Sequence, residues 1–382
     1  MYKTREGIEF SDDGRTLIRS PKELQGIFVI PDGVTTIGDY AFYDCTHLTN
    51  VIIPRTVTTI GSYAFHGCLA LKNITIPNKV IQIGSYAFAN CKALGCASIA
   101  GKGVAVGAYA FCGCLMLKKV SMPGVSTIGM SAFQLCRSLK KVEIPNGVSV
   151  VSESQFKGCK HLTNIVLPQS VSVIENEAFS GCADLAHITL PDNVTQIGHN
   201  AFCNCTALVE IHIPKHVKEI GYTAFAGCTA LEHISVSSEN EIYHSDKNCL
   251  IKTSERKIVA GCKTSIIPTD ESVTTIGRYA FRDCLPLEEI SVPDNIATIE
   301  MLAFCGCINL EHLFIPQSIE SVEREIASES SPNLQIYCEA FPKPGWDNEW
   351  NKLNPQALTS RAITHCSTPR WWYDKFVAKT AI

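Results

Sequence analysis

The 382-residue sequence has no apolar run near the roughly 18 residues that a membrane-spanning helix requires. Its first residues, MYKTREGIEFSDDG, lack the apolar segment of a secretory signal peptide. Blocks of about five or more like charges are also missing, and 33 basic against 37 acidic residues give a formal net charge of −4. These absences predict a protein that neither inserts into a membrane nor binds nucleic acid through a basic surface.

Motifs of common enzyme classes are missing as well. The chain contains no G-x-S-x-G nucleophile elbow, no H-E-x-x-H zinc motif and no P-loop. Possible nucleophiles and bases occur only as scattered positions of a repeat, whereas catalysis needs them together in a pocket. We therefore expect no enzyme activity, no catalytic residues and no cofactor.

What the sequence does contain is one phrase that recurs eleven times, mostly at a spacing of 23 residues. One copy is AFYDCTHLTNVIIPRTVTTIG, from Ala41 to Gly61, in which a cysteine follows the phenylalanine by three residues. The phenylalanines of the copies are Phe42, Phe65, Phe88, Phe111, Phe133, Phe156, Phe179, Phe202, Phe225, Phe281 and Phe304. A repeat of this length, with apolar residues in the L-x-x-L-x-L arrangement, is typical of leucine-rich-repeat solenoids, whose stacked turns bury faces that no single turn can bury.

Each copy predicts one turn of such a solenoid. Val51 and Ile53 alternate with Asn50 and Ile52, which indicates a short strand with the first pair inward and the second outward. Pro54 ends the strand because proline has no N–H to donate. We predict about 11 repeats of 23 residues, with a parallel β-sheet on the concave face and short turns or 3-10/helical segments on the convex face.

The phrase I-P-x-x-V-x-x-I-G-x-x-A-F-x-x-C-x-x-L, read over residues 27 to 316, resembles the BspA-type leucine-rich repeats of bacterial and protozoan surface proteins. The resemblance implies a non-catalytic protein-binding module, a surface or secreted adhesin-like protein that recognises a protein partner through the concave sheet. The alternative is an intracellular leucine-rich-repeat scaffold. A cytoplasmic location fits the nineteen cysteines and the missing signal peptide.

Interruptions of the repeat divide the chain into five segments. They are an N-terminal capping hairpin (1–30), a first repeat block (31–236), an inserted hairpin-like module (237–268), a second repeat block (269–338) and a C-terminal cap and tail (339–382). The inserted module resembles the opening of the chain, since Leu250-Ile251 matches Leu17-Ile18. At the far end, Trp346 and Trp350 are candidates to cover the final strand edge.

The periodic cysteines are one structural position repeated eleven times. A small apolar side chain at a tight inward corner explains them better than disulfides or metal ligands, which remain the alternatives. Pairs such as Cys112 and Cys114 have C-x-C spacing, which differs from the C-x₂-C of zinc sites.

The outward strand positions define the predicted binding face, which is mixed and mostly polar and so suits an extended protein partner. Its candidate residues are Asn50, Asn73, Lys119, Lys141, Glu143, Asn164, His187, Glu210, His212 and His233. Four of these fall together on three consecutive predicted turns: His187, Glu210, His212 and His233. Imidazoles around a carboxylate could form a weak metal site or a pH-sensitive patch, and the alternative is a set of solvated polar residues.

Overall fold

The computed structural model of the protein describes residues 2–339, 343–349 and 364–365. The chain forms two compact units, Met1–Phe225 and Ala226–Ile382. Each is a parallel β-solenoid, and together they contain about 14 turns of about 23 residues. Among the described residues the one helical element is a 3-10 helix, Thr253–Glu255.

The first unit begins with three antiparallel strands, of which the third continues in parallel into a ladder of short strands. We call the short strands together the short-strand sheet; their hydrogen-bond pairing is interrupted between Val125–Ile128 and Val150–Val151. The three opening strands are Tyr2–Lys3, Glu9–Phe10 and Thr16–Arg19. The short strands are Thr36–Ile37, Thr59–Ile60, Gln82–Ile83, Val104–Val106, Val125–Ile128, Val150–Val151, Val173–Ile174, Gln196–Ile197 and Glu219–Ile220.

A second set of strands in the first unit corresponds to the strands predicted for the concave face. We call the set the long-strand sheet; its hydrogen-bond pairing is interrupted after Leu48–Ile52 and after Asn164–Val166. These strands are Gly26–Val29, Leu48–Ile52, Asn73–Ile76, Cys96–Ile99, Lys119–Ser121, Lys141–Glu143, Asn164–Val166 and Glu210–Ile213. Paired strands of this set run parallel, as expected for successive turns of a solenoid.

The second unit repeats this plan. Its antiparallel opening is Tyr243–Asp246, Cys249–Lys252 and Lys257–Ala260, and the short strands Thr275–Ile276, Thr298–Ile299 and Ser321–Val322 follow in parallel. Its longer strands are His233–Val236, Glu289–Ser291, His312–Ile315, Gln335–Cys338 and Thr364–His365. Trp346 is buried and bridges to Val322 at the last short strand, whereas Trp350 and residues 370–382 lie outside the described residues.

The core of each unit is built from the inward positions of the repeat. In the turn that contains Val51 and Ile53, both side chains are less than a tenth exposed, and Val57 and Ile60 are fully buried. The phenylalanine column is buried as predicted: Phe88 and Phe179 have no exposed surface. Successive rings lie parallel, with centroids 4.8 Å apart at Phe42–Phe65 and 5.7 Å apart at Phe133–Phe156.

The solenoid is confirmed, but it has about 14 turns instead of the expected eleven. Segments without the Phe-Cys phrase also form turns, because a turn requires only inward apolar residues and a partner strand. Gly26–Val29 pairs with Leu48–Ile52, and Gln335–Cys338 pairs with His312–Ile315. The prediction of turns or helical segments opposite the long strands was also incomplete, since that side carries the short-strand sheet.

Substituting Phe133→Ala tests the ring column. The ring is fully buried between the rings of Phe111 and Phe156, so its removal leaves a cavity and takes one of two stacked neighbours from each of those rings. We expect the free energy of unfolding in urea to fall by about 3–5 kcal/mol. Ile81→Ala, at a site that is 59% exposed, is the control and should change it by less than about 0.5 kcal/mol. An equal loss of unfolding free energy in the two variants would contradict a stabilising role of the stacked rings.

Candidate functional site

The outward face of the long-strand sheet carries a column of side chains in register. Parallel pairing aligns Asn73 with Cys96, Cys96 with Lys119, Lys119 with Lys141, and Lys141 with Asn164. All five side chains are exposed. Neighbouring strands of a sheet lie about 4.8 Å apart, so the two lysines form a positive spot between polar neighbours.

A parallel column lies two residues further along each strand. Thr75 pairs with Ser98, Ser98 with Ser121, and Glu143 with Val166. The Nζ atom of Lys141 lies 3.0 Å from Oε1 of Glu143, but both side chains are more than three-fifths exposed. Such an exposed ion pair stabilises the fold by little, so both charges are available to a partner.

A cleft of about 690 Å³ opens near the amino-terminal end of this face. Asn50, Ile52 and Asn73 contribute strand residues to it, and Arg55 and Asn78 contribute residues of the loops that follow the strands. The loop residues are not among the predicted face residues, which were taken from the outward strand positions alone. The Ile-Pro pairs that end these strands were the available signal, since a residue just beyond such a corner lies beside the strand end.

In the histidine group, one imidazole lies close to a carboxylate. Nδ1 of His187 lies 3.6 Å from Oε1 of Glu210, and both side chains are exposed. His212 lies on the same strand as Glu210, and His233 begins a strand of the second unit. Within the described part of the chain, no three His, Cys, Asp or Glu residues are grouped so that they could hold a metal ion. One imidazole and one carboxylate fall short of the three or four protein ligands of typical zinc sites.

The periodic cysteines form a hydrogen-bonded ladder. Sγ of Cys91 donates to the carbonyl oxygen of Phe65 in the preceding turn at 3.1 Å, and Sγ of Cys159 donates to that of Phe133 at 3.1 Å. Burial raises the pKa of the Cys159 thiol to about 12. The buried thiol predicted from the sequence is confirmed, and its hydrogen bond to the phenylalanine carbonyl was not foreseen.

The repeat identified from the sequence has a counterpart among family models. The model of a BspA-type leucine-rich-repeat region, built on six copies of the repeat, matches residues 23–140, 126–255 and 252–338. The chain belongs to the BspA-type leucine-rich-repeat family. The resemblance stated from the sequence is thereby confirmed. Leucine-rich-repeat proteins are generally non-catalytic, and the fold generally mediates protein interactions.

Solved structures of bacterial proteins resemble this BspA-type chain. A leucine-rich-repeat protein from Bacteroides ovatus is 28% identical with a TM-score of 0.59, and the match covers 83% of this chain and 79% of that one. A leucine-rich cell-surface protein from Faecalibacterium prausnitzii is 22% identical with a TM-score of 0.53, over 92% and 96%; at that identity it supports the fold alone. A comparison with curated proteins finds no match. No helix among the described residues is long and apolar enough to cross a lipid bilayer.

The cysteine ladder predicts a sharp contrast in thiol reactivity. We expect a short pulse of iodoacetamide at pH 8 to alkylate the exposed Cys96 and to leave Cys159 and Cys182 unmodified, because alkylation requires an accessible thiolate. The pKa of Cys182 is also raised by burial. Peptide mapping by mass spectrometry gives the extent of modification, and a pulse in urea is the control in which all three should react. Equal alkylation of Cys96 and Cys159 in the folded protein would contradict the ladder.

Proposed function

We propose that the protein is a non-catalytic binding module that contacts a protein partner through the outward face of the long-strand sheet. Membership of a leucine-rich-repeat family supports a protein-binding repeat scaffold. The observation that carries the proposal is the pair of register-matched columns, in which exposed side chains project from strands held together by backbone pairing. Their side chains are therefore free of any role in the core and available for recognition.

The chemistry of this face favours an extended segment of a protein over a small ligand. Amides, hydroxyls and charges of both signs alternate along it, with Lys119, Lys141 and Glu143 close together. An extended chain presents its own main-chain donors and acceptors at regular intervals along its length. The predicted face residues of the histidine group, His187, Glu210 and His212, add two imidazoles and a carboxylate further along the first unit.

We further propose that the protein acts at the cell surface in an adhesin-like role. The support is the membership of the BspA-type family, whose repeats resemble those of bacterial and protozoan surface proteins. The second candidate is an intracellular scaffold, which the many thiols favour.

These locations are separated by labelling intact host cells with a biotin reagent that does not cross membranes. The exposed lysines, among them Lys79 and Lys119, should be biotinylated on intact cells if the protein is at the surface. A known cytoplasmic protein of the same cells is the control for leakage. Labelling that appears only after lysis would contradict the surface role and support the scaffold.

The contact face is tested by charge reversal. We expect K119E/K141E to weaken binding to a protein captured from host extracts by roughly tenfold or more, because two adjacent positive charges are inverted within the face. K79E/K92E, at exposed lysines on the turns, is the matched control with the same change in net charge. Affinities are measured by biolayer interferometry with the full chain immobilised. Equal weakening by both variants would show a general charge effect and would refute this face as the binding surface.

A further inference from the structure

The long-strand sheet of the first unit has an open edge at its amino-terminal end. Strand Gly26–Val29 pairs with Leu48–Ile52, and in the part of the chain that the structure describes no strand pairs with its other side. The short-strand sheet differs, because its corresponding end continues into the antiparallel opening strands. At this end the short-strand sheet is therefore extended by three further strands, whereas the long-strand sheet ends at Gly26–Val29.

The main-chain groups at the open edge can be assigned from the bonds on the closed side. The N–H of Gly26 donates to the carbonyl oxygen of His47 at 3.1 Å, and the N–H of Ile30 donates to that of Ile52 at 3.0 Å. Successive residues of a strand direct their N–H and C=O groups to opposite sides in alternation. Ile27 and Val29 therefore direct their main-chain groups toward the open edge.

The side chains at this edge are apolar and exposed. Ile27 is 65% exposed and Val29 58%, and Val29 pairs with Ile52, which is 50% exposed. Phe28 lies on the inward side, where its ring is 5.7 Å from that of Phe42. The strand carries no charge and no proline, the features that usually protect a sheet edge from pairing with another chain.

We propose that this edge pairs with the same edge of a second copy of the chain, as an antiparallel pair with its two-fold axis at Phe28. In that register Ile27 stands opposite Val29 of the partner subunit, and the reciprocal pair forms on the other side of the axis. These are the residues whose N–H and C=O groups face outward, so the register forms four main-chain hydrogen bonds.

The same register also places the exposed side chains correctly. Ile27 of one copy and Val29 of the partner subunit project from the same face of the joined sheet, so each apolar side chain gains an apolar neighbour. An axis between Ile27 and Phe28 would set an outward side chain opposite an inward one and is excluded by the alternation of the strand.

A second copy fits this edge better than an unrelated strand because the edge is complementary to itself. A two-fold interface uses one surface twice, and the segment Gly-Ile-Phe-Val satisfies this with the two Ile–Val pairs. Since the strand is uncharged, its pairing brings no like charges together at the axis, although each chain has a formal net charge of −4. The patch formed by Ile27, Val29 and Ile52 on each copy becomes continuous across the axis.

Sedimentation equilibrium of the full chain over a range of concentrations tests the proposal. The wild type should form a dimer, and I27E and V29K should each weaken dimerisation by roughly tenfold or more, since each places a charge opposite an apolar residue in both symmetric pairs. I27E/V29K should regain most of the lost affinity, because the register sets the introduced glutamate of one copy opposite the introduced lysine of the other. I81E, a charge at an equally exposed isoleucine away from this edge, is the control and should leave dimerisation unchanged.

A second measurement guards against variants that fail to fold. Thermal unfolding followed by circular dichroism should be similar in all variants, and hydrogen exchange in a peptide covering residues 24–30 should slow with concentration in the wild type and not in I27E. A chain that is monomeric at all concentrations would overturn the proposal. So would a dimer that I27E and V29K leave intact, and a failure of the double variant to recover would overturn the register.

Discussion

The structure depends on the way each phenylalanine is tied to the following turn. The N–H of Phe65 donates to the carbonyl oxygen of Ala87 at 2.7 Å, its carbonyl oxygen accepts from Sγ of Cys91 at 3.1 Å, and its ring stacks on that of Phe88. A buried peptide group without such partners would destabilise the fold. One residue per turn therefore couples main-chain, thiol and ring contacts. The final copy keeps the arrangement with another donor, since Oγ of Ser330 donates to the carbonyl oxygen of Phe304 at 2.8 Å.

The inward residues could be predicted from the sequence because every turn imposes the same demand on them, so the pattern is repeated eleven times. Backbone conformation could not be predicted in the same way. Tyr63 and Tyr86 have φ values near +58°, a left-handed conformation normally associated with glycine or asparagine. Tyrosine does not indicate this conformation in a sequence, and the two rings stack on each other in the structure. Gly84 does reflect its surroundings, because a Cβ there would lie 2.4 Å from the main-chain nitrogen of Ser62 in the preceding turn. The short-strand sheet was also not predicted, because two-residue strands such as Thr59–Ile60 are too short to show an alternating pattern.

The candidate face follows a different rule from the core. The sequence predicts which residues face outward, because side chains alternate between the two sides of each strand. Asn73, Lys119 and Lys141 are exposed accordingly. The arrangement of these side chains relative to one another could not be predicted, because it depends on the register between turns. His187 illustrates the limit: it lies in a segment without strand structure, so its place beside Glu210 follows from the path of that segment and not from a ladder. The stacking that fixes the core thus leaves the chemistry of the face free to vary from turn to turn.

Strand edges show how the two units use one architecture differently. In each unit three antiparallel strands lead into the short-strand sheet, and the long strands pair separately from it. Among the long strands of the second unit that pair with one another, the first is Glu289–Ser291, whose two outward residues are a carboxylate and a hydroxyl. The equivalent strand in the first unit presents Ile27 and Val29, both mostly exposed. Because an acidic outward residue discourages edge pairing and an apolar one does not, exposed apolar residues at this position are a property of the first unit's sequence and not a requirement of the fold.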